Sequence, residues 1–283
     1  MKKIFVTFFL SFIFLSVFAN FSDTTIKIAA AANVRNGNRI LVSKANVIYP
    51  DILIGHEEES APYAEKFTSS RRDYLIRTYK RSQKYFPKVK AILKKHSIPV
   101  EFSVLMAIES GFNGNAVSPK GAVGYWQFMD GVAKEYGLRI AEKKTKDTKT
   151  TRTQKGNHTK TKPVVDDRKN FTRSTIAAAR YLQDRAKNLN NDWLLIAASY
   201  NCGVGNVWNA MQKSGVENPG YWDIQKFLPA ETRAYVMNFI TLNLVFNNYE
   251  TFLQGKLQFK DIYAIPENDL PPGFDVKLLN KLL

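Results

Sequence analysis

Apolar side chains recur at every third or fourth position along most of the chain, a spacing that puts them on one face of an α-helix. This pattern predicts a mainly α-helical protein. The predicted helices span residues 71–96, 99–111, 126–136, 171–189, 193–202 and 231–247, with a shorter one after Gly205. Pro87 should kink or split the first of them, because proline removes a helical hydrogen bond. Short strands are predicted at residues 24–28 and 39–42.

The N-terminus differs from the rest, since two lysines precede an almost wholly apolar run from Ile4 to Val17. A positive start, a short apolar stretch and a small residue before Asn20 are typical of a secretory signal peptide, here residues 1–19, cleaved after Ala19. An uncleaved membrane anchor is the alternative, although the run is short for a bilayer span of roughly 20 residues. We therefore expect an exported protein, periplasmic or associated with the cell envelope.

The remaining chain divides by composition into three parts. We predict an extended N-terminal arm at residues 20–66, a helical domain at residues 67–250 and a C-terminal tail at residues 251–283. Within the domain, residues 142–163 are dominated by basic and small polar side chains, which predicts a low-complexity insertion. We hypothesise that its charge holds the protein on an anionic surface, and a neutral surface insertion is the alternative.

Charge and cysteine usage narrow the classes of function. A formal net charge of +16 favours polyanionic surroundings, and for an exported chain these are an anionic cell wall or a membrane surface. No nucleic-acid-binding motif accompanies the charge, so no nucleic-acid partner is expected. The single cysteine, Cys202, excludes an internal disulfide. No metal-ligand cluster or phosphate loop is apparent, so we expect no cofactor and no metal. We also expect the protein to be a monomer.

Glu109 is the candidate catalytic residue. It is expected in the last turn of the helix ended by Gly111, where unpaired carbonyl groups disfavour a negative charge. It also lies one turn beyond Leu105, at the rim of the apolar face, where loss of water disfavours the anion again. Both effects raise the pKa of the carboxyl toward the range that a general acid needs.

Three further motifs accompany Glu109-Ser110-Gly111 in a fixed order. They are Ser118-Pro119-Lys120-Gly121-Ala122-Val123-Gly124-Tyr125-Trp126-Gln127-Phe128-Met129, Ser199-Tyr200-Asn201-Cys202-Gly203, and Leu228-Pro229-Ala230-Glu231-Thr232-Arg233-Ala234-Tyr235-Val236. Each motif alone is weak. Together they resemble the catalytic domain of the bacterial peptidoglycan lytic transglycosylases, most closely the membrane-bound type D-like group, over about residues 98–240.

This resemblance implies a goose-type-lysozyme-like helical fold with a substrate groove for the glycan strands of peptidoglycan. It also implies cleavage of the MurNAc–GlcNAc β-1,4 bond with 1,6-anhydromuramyl ends, one Glu acting as acid and then as base. Glu109 takes that role. The residues matching the family's substrate-binding positions are Ser110, Gln127, Tyr200, Asn201 and Tyr235, and the last approaches the catalytic Glu.

Neighbouring aromatic residues are candidates for packing on sugar rings. These are Tyr125 and Phe128, whereas we expect Trp126 and Met129 to fill the core. Two other functions stay open at this point. One is a lysozyme-type hydrolase with Asp130 or Asp166 as the base for water. The other is a non-catalytic wall-binding scaffold, which the retained motif residues disfavour.

Overall fold

The computed structural model describes residues 35–36, 39–140 and 165–266. The predicted signal peptide, the predicted strand at 24–28 and the basic insertion at 142–163 lie outside the described residues. The chain divides into two compact units. One spans Ile48–Gly255, and the other combines the residues before Ile48 with those after Gly255.

The first unit is helical, which confirms the mainly α class predicted from the sequence. Its helices are α1 (Glu57–Ser70), α2 (Arg72–Lys95), α3 (Val104–Ser110), α4 (Asp130–Glu135), α5 (Phe171–Asn188), α6 (Trp193–Cys202), α7 (Val204–Ser214), α8 (Tyr221–Ile224), α9 (Ala230–Asn247) and α10 (Tyr249–Leu253). Single 3-10 turns occur at Asp51–Leu53, Val100–Ser103, Asp167–Lys169 and Gln225–Phe227.

Helix α9 is the centre of this unit. It contacts α1, α3 and α6, and most of its residues are buried, from Thr232 to Val245. A helix that is apolar on nearly every side is stable only when other helices surround it. Because α3 and α6 carry Glu109 and Tyr200, this packing brings three of the sequence motifs onto one central helix.

Two helices begin or continue where the sequence predicted otherwise. The extended arm predicted to reach residue 66 ends earlier, because Glu57–Ser70 forms α1. Its acidic first turn, from Glu57 to Glu59, is favourable at the positive end of a helix. Helix α2 continues through Pro87 without a break. The predicted tail also starts later, since the helical unit extends to Gly255.

Other boundaries agree with the sequence. Gly111 ends α3 in the left-handed conformation, with φ of 55°. Asp192 caps α6 by accepting a hydrogen bond from the backbone N–H of Leu195 at 2.9 Å.

The second unit contains a small antiparallel sheet with the order β1 (Arg35–Asn36), β2 (Arg39–Ser43) and β3 (Ile262–Pro266). The strand predicted at 39–42 is therefore confirmed. In the described part of the chain, no helix combines the length and the apolar character needed to cross a bilayer.

Candidate active site

Glu109 lies in the last turn of α3, as predicted, and its side chain is half-buried. The preceding residues of the helix, Val104 to Ala107, are buried in the core and fix the helix in place. The carboxyl is therefore attached to a rigid element while part of its surface stays open to solvent.

Tyr235 holds the carboxyl of Glu109. The phenol is 7% exposed, and its hydroxyl donates a hydrogen bond of 2.6 Å to Glu109 Oε1. Burial raises the pKa of Glu109 to about 7, although the Tyr235 hydrogen bond opposes the rise and the nearby carboxylate of Glu231 adds to it. A carboxyl with a pKa near neutrality exists in both the protonated and the ionised form at neutral pH, so it can serve as acid and as base.

Two phenols lie near this carboxyl, the buried Tyr235 and the half-buried Tyr200. Burial and the negative charge of Glu109 raise the pKa values of both Tyr235 and Tyr200 well above the usual range, so both hydroxyls keep their protons. Tyr200 extends from α6 and donates a 2.8 Å hydrogen bond to the carbonyl of Trp126. The sequence-predicted residues Glu109, Tyr200 and Tyr235 are thus brought together.

The segment between α3 and α4 folds as two successive turns. Ser118 to Gly121 forms the predicted turn, closed by a 2.9 Å backbone hydrogen bond from Gly121 to Ser118. Val123 then pairs with both Val117 and Phe128 across antiparallel bridges. The helix predicted at 126–136 is wrong in its first turn, since α4 begins only at Asp130.

Gln127 adopts a backbone conformation that is rare for a residue with a side chain. Its φ is 50°, in the left-handed region that costs roughly 1 kcal/mol for such a residue. The pairing of Val123 with Phe128 imposes this conformation, because the chain must reverse direction between them. Because of this turn, residues 126–129 are not helical although their apolar residues have helical spacing.

Side chains from three predicted site residues fix this loop. Ser110 donates a 2.8 Å hydrogen bond to the carbonyl of Tyr125. Gln127 donates through Nε2 to the carbonyls of Ala116 and Gly124, at 3.2 and 2.8 Å. With the bond from Tyr200 to Trp126, these contacts tie the loop to both α3 and α6, so its position relative to Glu109 is set.

Asn201 is oriented by a residue that the sequence analysis missed. Its Oδ1 accepts a 2.8 Å hydrogen bond from the hydroxyl of Thr232, at the start of α9. Thr232 is 1% exposed and precedes Tyr235 by less than one helical turn. Its place inside the last motif was the only sequence signal for this role.

Arg168 supports the loop from behind. Its buried guanidinium pairs with the carboxylates of Asp130 and Asp166 and donates a 3.3 Å hydrogen bond to the carbonyl of Phe128. Its own carbonyl oxygen lies so close to Gly124 that a Cβ there would be 2.0 Å away. Only glycine fits at that position, and its φ of 85° also requires it.

The same arginine pairs with Asp130 and Asp166, the two carboxylates that were candidates for a base that activates water. Hydrogen bonds from Arg168 lower the pKa of Asp166 despite its burial, and Asp130 faces the same guanidinium. Neighbouring Asp167 is paired with Arg139 at 2.8 Å. A hydrolase that uses Asp130 or Asp166 as its base therefore does not fit this geometry.

The aromatic residues of the loop are arranged differently from the prediction. Trp126 is fully buried, as expected, and donates a 3.1 Å hydrogen bond to Thr175. Phe128 is buried at 4% exposure, whereas Met129 is 45% exposed, so their expected roles are reversed. Tyr125 is half-buried and stays available at the loop surface.

Within the described residues, no group of His, Cys, Asp and Glu side chains is arranged to hold a metal ion. Cys202 is a free, half-buried thiol at the end of α6. Burial raises its pKa, so it is poorly suited to be a nucleophile.

The carboxyl of raised pKa and the loop that is fixed beside it lie in a part of the chain that matches a family model. Residues 87–222 match the model of the transglycosylase SLT domain. The match includes Glu109, the loop and Asn201, and it ends before Tyr235.

The chain is also similar to a curated protein. The chain is 29% identical over 183 residues to membrane-bound lytic murein transglycosylase D of Escherichia coli strain K12, covering 64% of this chain and 35% of that protein. It thus spans about a third of that relative's length.

Two solved structures are also similar. An inactive mutant of lytic transglycosylase Slt from Pseudomonas aeruginosa gives 17% identity and a TM-score of 0.43, covering 75% of this chain and 38% of the other. The 70 kDa soluble lytic transglycosylase of Escherichia coli gives 16% identity and a TM-score of 0.42, covering 89% and 36%. The goose-type-lysozyme-like arrangement stays a prediction at these scores.

Proposed function

We propose that this protein is a peptidoglycan lytic transglycosylase in which Glu109 is the single acid and base. The observation that carries the proposal is the Glu109 carboxyl, half-buried, with its pKa raised to about 7 and its orientation fixed by Tyr235. The name of the Escherichia coli relative supports murein as the substrate.

In the proposed reaction Glu109 donates one proton, which stays on the released GlcNAc hydroxyl, and then accepts another from the substrate. The neutral carboxyl protonates the oxygen bridging MurNAc and GlcNAc while the bond from that oxygen to the anomeric carbon breaks. The muramyl 6-hydroxyl then bonds to the anomeric carbon and gives its proton to the Glu109 carboxylate. The product is a 1,6-anhydromuramyl end, and no water is consumed.

Tyr235 fits both halves of this cycle. Its phenol donates to Oε1 whether Glu109 is neutral or ionised, and the bond is stronger to the anion. It therefore stabilises the carboxylate that forms after the first proton transfer. The other oxygen of the carboxyl is left to face the scissile bond.

Most glycosidases pair the acid with a second carboxylate, and substrate-assisted chemistry is the recognised exception. The pairing of Asp130, Asp166 and Asp167 with arginines supports the exception here. The substrate N-acetyl group then stabilises the positive charge at the anomeric carbon.

We propose that Gln127 and Asn201 contact the substrate directly. Gln127 donates through Nε2 to the loop, which leaves Oε1 to accept from a sugar hydroxyl or an acetamido N–H. Asn201 uses Oδ1 with Thr232, which leaves its Nδ2 to donate. The hydroxyls of Ser110 and Tyr200 donate hydrogen bonds to loop carbonyls. We therefore propose that these two residues shape the groove.

A lysozyme-type hydrolase is the second candidate, and one observation keeps it open. Glu231 lies one helical turn before Tyr235 on α9 and is exposed. Its negative charge contributes to the raised pKa of Glu109. In this reading Glu231 activates a water molecule. We propose a cell-envelope location in both cases, in keeping with the predicted export and with the membrane-bound relative.

Digestion of isolated sacculi in water labelled with heavy oxygen separates the two reactions. A transglycosylase forms anhydro ends with no label, because the 6-hydroxyl of the sugar is the nucleophile. A hydrolase forms reducing ends that carry the label. Mass spectrometry of the released muropeptides reads both, and labelled reducing ends would replace our proposal by the hydrolase.

A further inference from the structure

Helix α2 carries an unusual charge for its length. Its 24 residues include nine Lys or Arg and a single Asp, Asp73. Half of the formal net charge of +16 therefore originates from one helix. This helix lies outside the motifs that define the candidate active site.

Five of these cations form a line along one face, which we name the basic stripe: Arg77, Arg81, Lys84, Lys88 and Lys95. Their spacing of four, three, four and seven residues keeps them on one side of the helix. At 1.5 Å per residue the stripe is roughly 27 Å long. It lies opposite the buried face formed by Leu75, Phe86, Val89 and Leu93.

Each residue of the basic stripe is exposed, and none forms a salt bridge with an acidic side chain in the described part of the chain. Lys84 and Lys88 lie over the rings of Tyr85 and Phe171, at 5.6 Å from each centroid. The charges are therefore available to an external anion, and two of them also lie over aromatic rings.

The basic stripe approaches the candidate active site from one side of α3. Arg77 and Arg81 line a cavity of about 330 Å³ together with Ala107 and Gly111, two positions before and after Glu109, so this cavity lies on the face of α3 that faces away from Glu109. The adjacent Tyr85 stacks on Phe112 at 5.1 Å between ring centroids and approaches Tyr125 of the loop at 6.0 Å. The stripe therefore meets the loop of the candidate active site at Tyr85, over whose ring Lys84 lies.

We propose that the basic stripe binds the free carboxylates of the peptide stems on the glycan strand that is being cut. This proposal rests on the proposed function and extends it to a preference for strands that still carry their stems. A linear row of cations matches a linear polymer with repeated carboxylates. The stripe then holds the strand along α2 while Glu109 acts on one of its bonds.

The structure disfavours a membrane as the occupant. A helix that binds a lipid surface inserts an apolar face into it. The apolar face of α2 is buried in the protein core, with Leu75, Val89 and Leu93 fully buried. Only the half-exposed Tyr74 is a large apolar side chain of α2 at the surface, with 38% exposure.

Binding can be measured apart from cleavage in the Glu109→Gln background. In that background, the triple variant Arg77→Gln, Arg81→Gln and Lys84→Gln removes three charges from the stripe. We expect its affinity for sacculi to fall about tenfold at low salt, since three exposed charge contacts with the strand are lost. The difference should shrink at 150 mM salt, where the Debye length is about 8 Å.

A control removes the same charge elsewhere. Lys94→Gln, Lys134→Gln and Lys213→Gln change three exposed lysines outside the stripe, and we expect sacculus binding close to that of the background protein. Thermal melting checks that both triple variants are folded. Equal loss in both would show that net charge alone matters and would overturn the proposal.

Glycan strands stripped of their stems by an amidase provide the second arm. The background protein should bind them as weakly as the stripe variant does, and the stripe variant should lose nothing further. Equal affinity of the background protein for intact and stripped strands would overturn the proposal, as would stripe-dependent binding to anionic phospholipid vesicles but not to sacculi. Stem-dependent binding without cleavage by the parent protein would instead refute the proposed function while supporting the binding of stems by the stripe.

Discussion

Replacement of Tyr235 by Phe removes one hydroxyl from the candidate active site and leaves the ring that packs in the core. The hydroxyl donates 2.6 Å to Glu109 Oε1, and this bond opposes the rise in the pKa of Glu109 that burial causes. Without it the ionised carboxylate loses its donor while the neutral acid loses less. The pKa of Glu109, already about 7, must therefore rise further.

The magnitude follows from the strength of the bond. A hydrogen bond to a charged group contributes roughly 1.5–3 kcal/mol. Since one pKa unit corresponds to about 1.36 kcal/mol, the shift should be about 1–2 units. The alkaline limb of the kcat/KM profile, which follows the protonated acid in the free enzyme, should move from about pH 7 to about pH 8–9. We also expect a lower maximum, because the carboxyl is less well oriented.

The assay is the release of soluble muropeptides from sacculi between pH 4 and 10, with the parent and the Tyr235→Phe protein compared. Tyr63→Phe is the matched control, because Tyr63 also donates a side-chain hydrogen bond, to Asn238 at 3.1 Å, and does not contact Glu109. Its profile should coincide with that of the parent. An unchanged or acid-shifted limb in Tyr235→Phe would refute the assignment of Glu109 as the acid held by this phenol.

Three other changes test stability. Because the pKa of Glu109 is raised in the folded protein, ionisation of this carboxyl lowers the free energy of unfolding as the pH rises from 4.5 to about 7. Glu109→Gln should therefore be more stable than the parent at pH 8, by up to about 3 kcal/mol, and equally stable at pH 4. Gly124→Ala should cost about 3 kcal/mol or more, since its Cβ would meet the Arg168 carbonyl. Gly121→Ala, whose Cβ meets no atom within 4 Å, should cost only the ~1–2 kcal/mol of its positive φ. Arg168→Met should lose about 3 kcal/mol in urea titrations, as it strands two carboxylates, whereas Asp130→Asn, at a half-exposed partner, should lose less than ~1 kcal/mol.

The sequence predicted the elements that follow a simple period. Helices α5, α6 and α9 lie within a few residues of their predicted bounds, because apolar spacing and the caps at Asp192 and Gly203 mark them locally. The position of Glu109 at a helix end was predicted for the same reason, since Gly111 can adopt the left-handed conformation that ends α3.

The loop that braces the site was not predictable in this way. Trp126 to Met129 has helical spacing, yet pairing between Val123 and Phe128 overrides it and forces Gln127 into a positive φ. This pairing is a local turn between residues five positions apart, and the spacing of apolar residues carries no signal for it. The exchange of roles between Phe128 and Met129 follows from the same reversal of the chain.

Contacts between distant segments were visible only in part. Tyr235 was expected near the catalytic Glu through the resemblance. The bond of Arg168 to the Phe128 carbonyl joins residues that are 40 positions apart, on either side of the insertion. No periodicity or spacing in one sequence reports a contact of that kind.

The central claim is that the carboxyl of Glu109 transfers the proton in both steps. Its most direct test is mass spectrometry of muropeptides from sacculi incubated with the parent, Glu109→Gln and Glu101→Gln proteins. Glu101 is a half-buried carboxyl just before α3, so its variant controls for the loss of a charge near that helix. We expect 1,6-anhydromuramyl products from the parent and from Glu101→Gln, and none from Glu109→Gln. Anhydromuramyl products from Glu109→Gln at the parent rate would contradict the account.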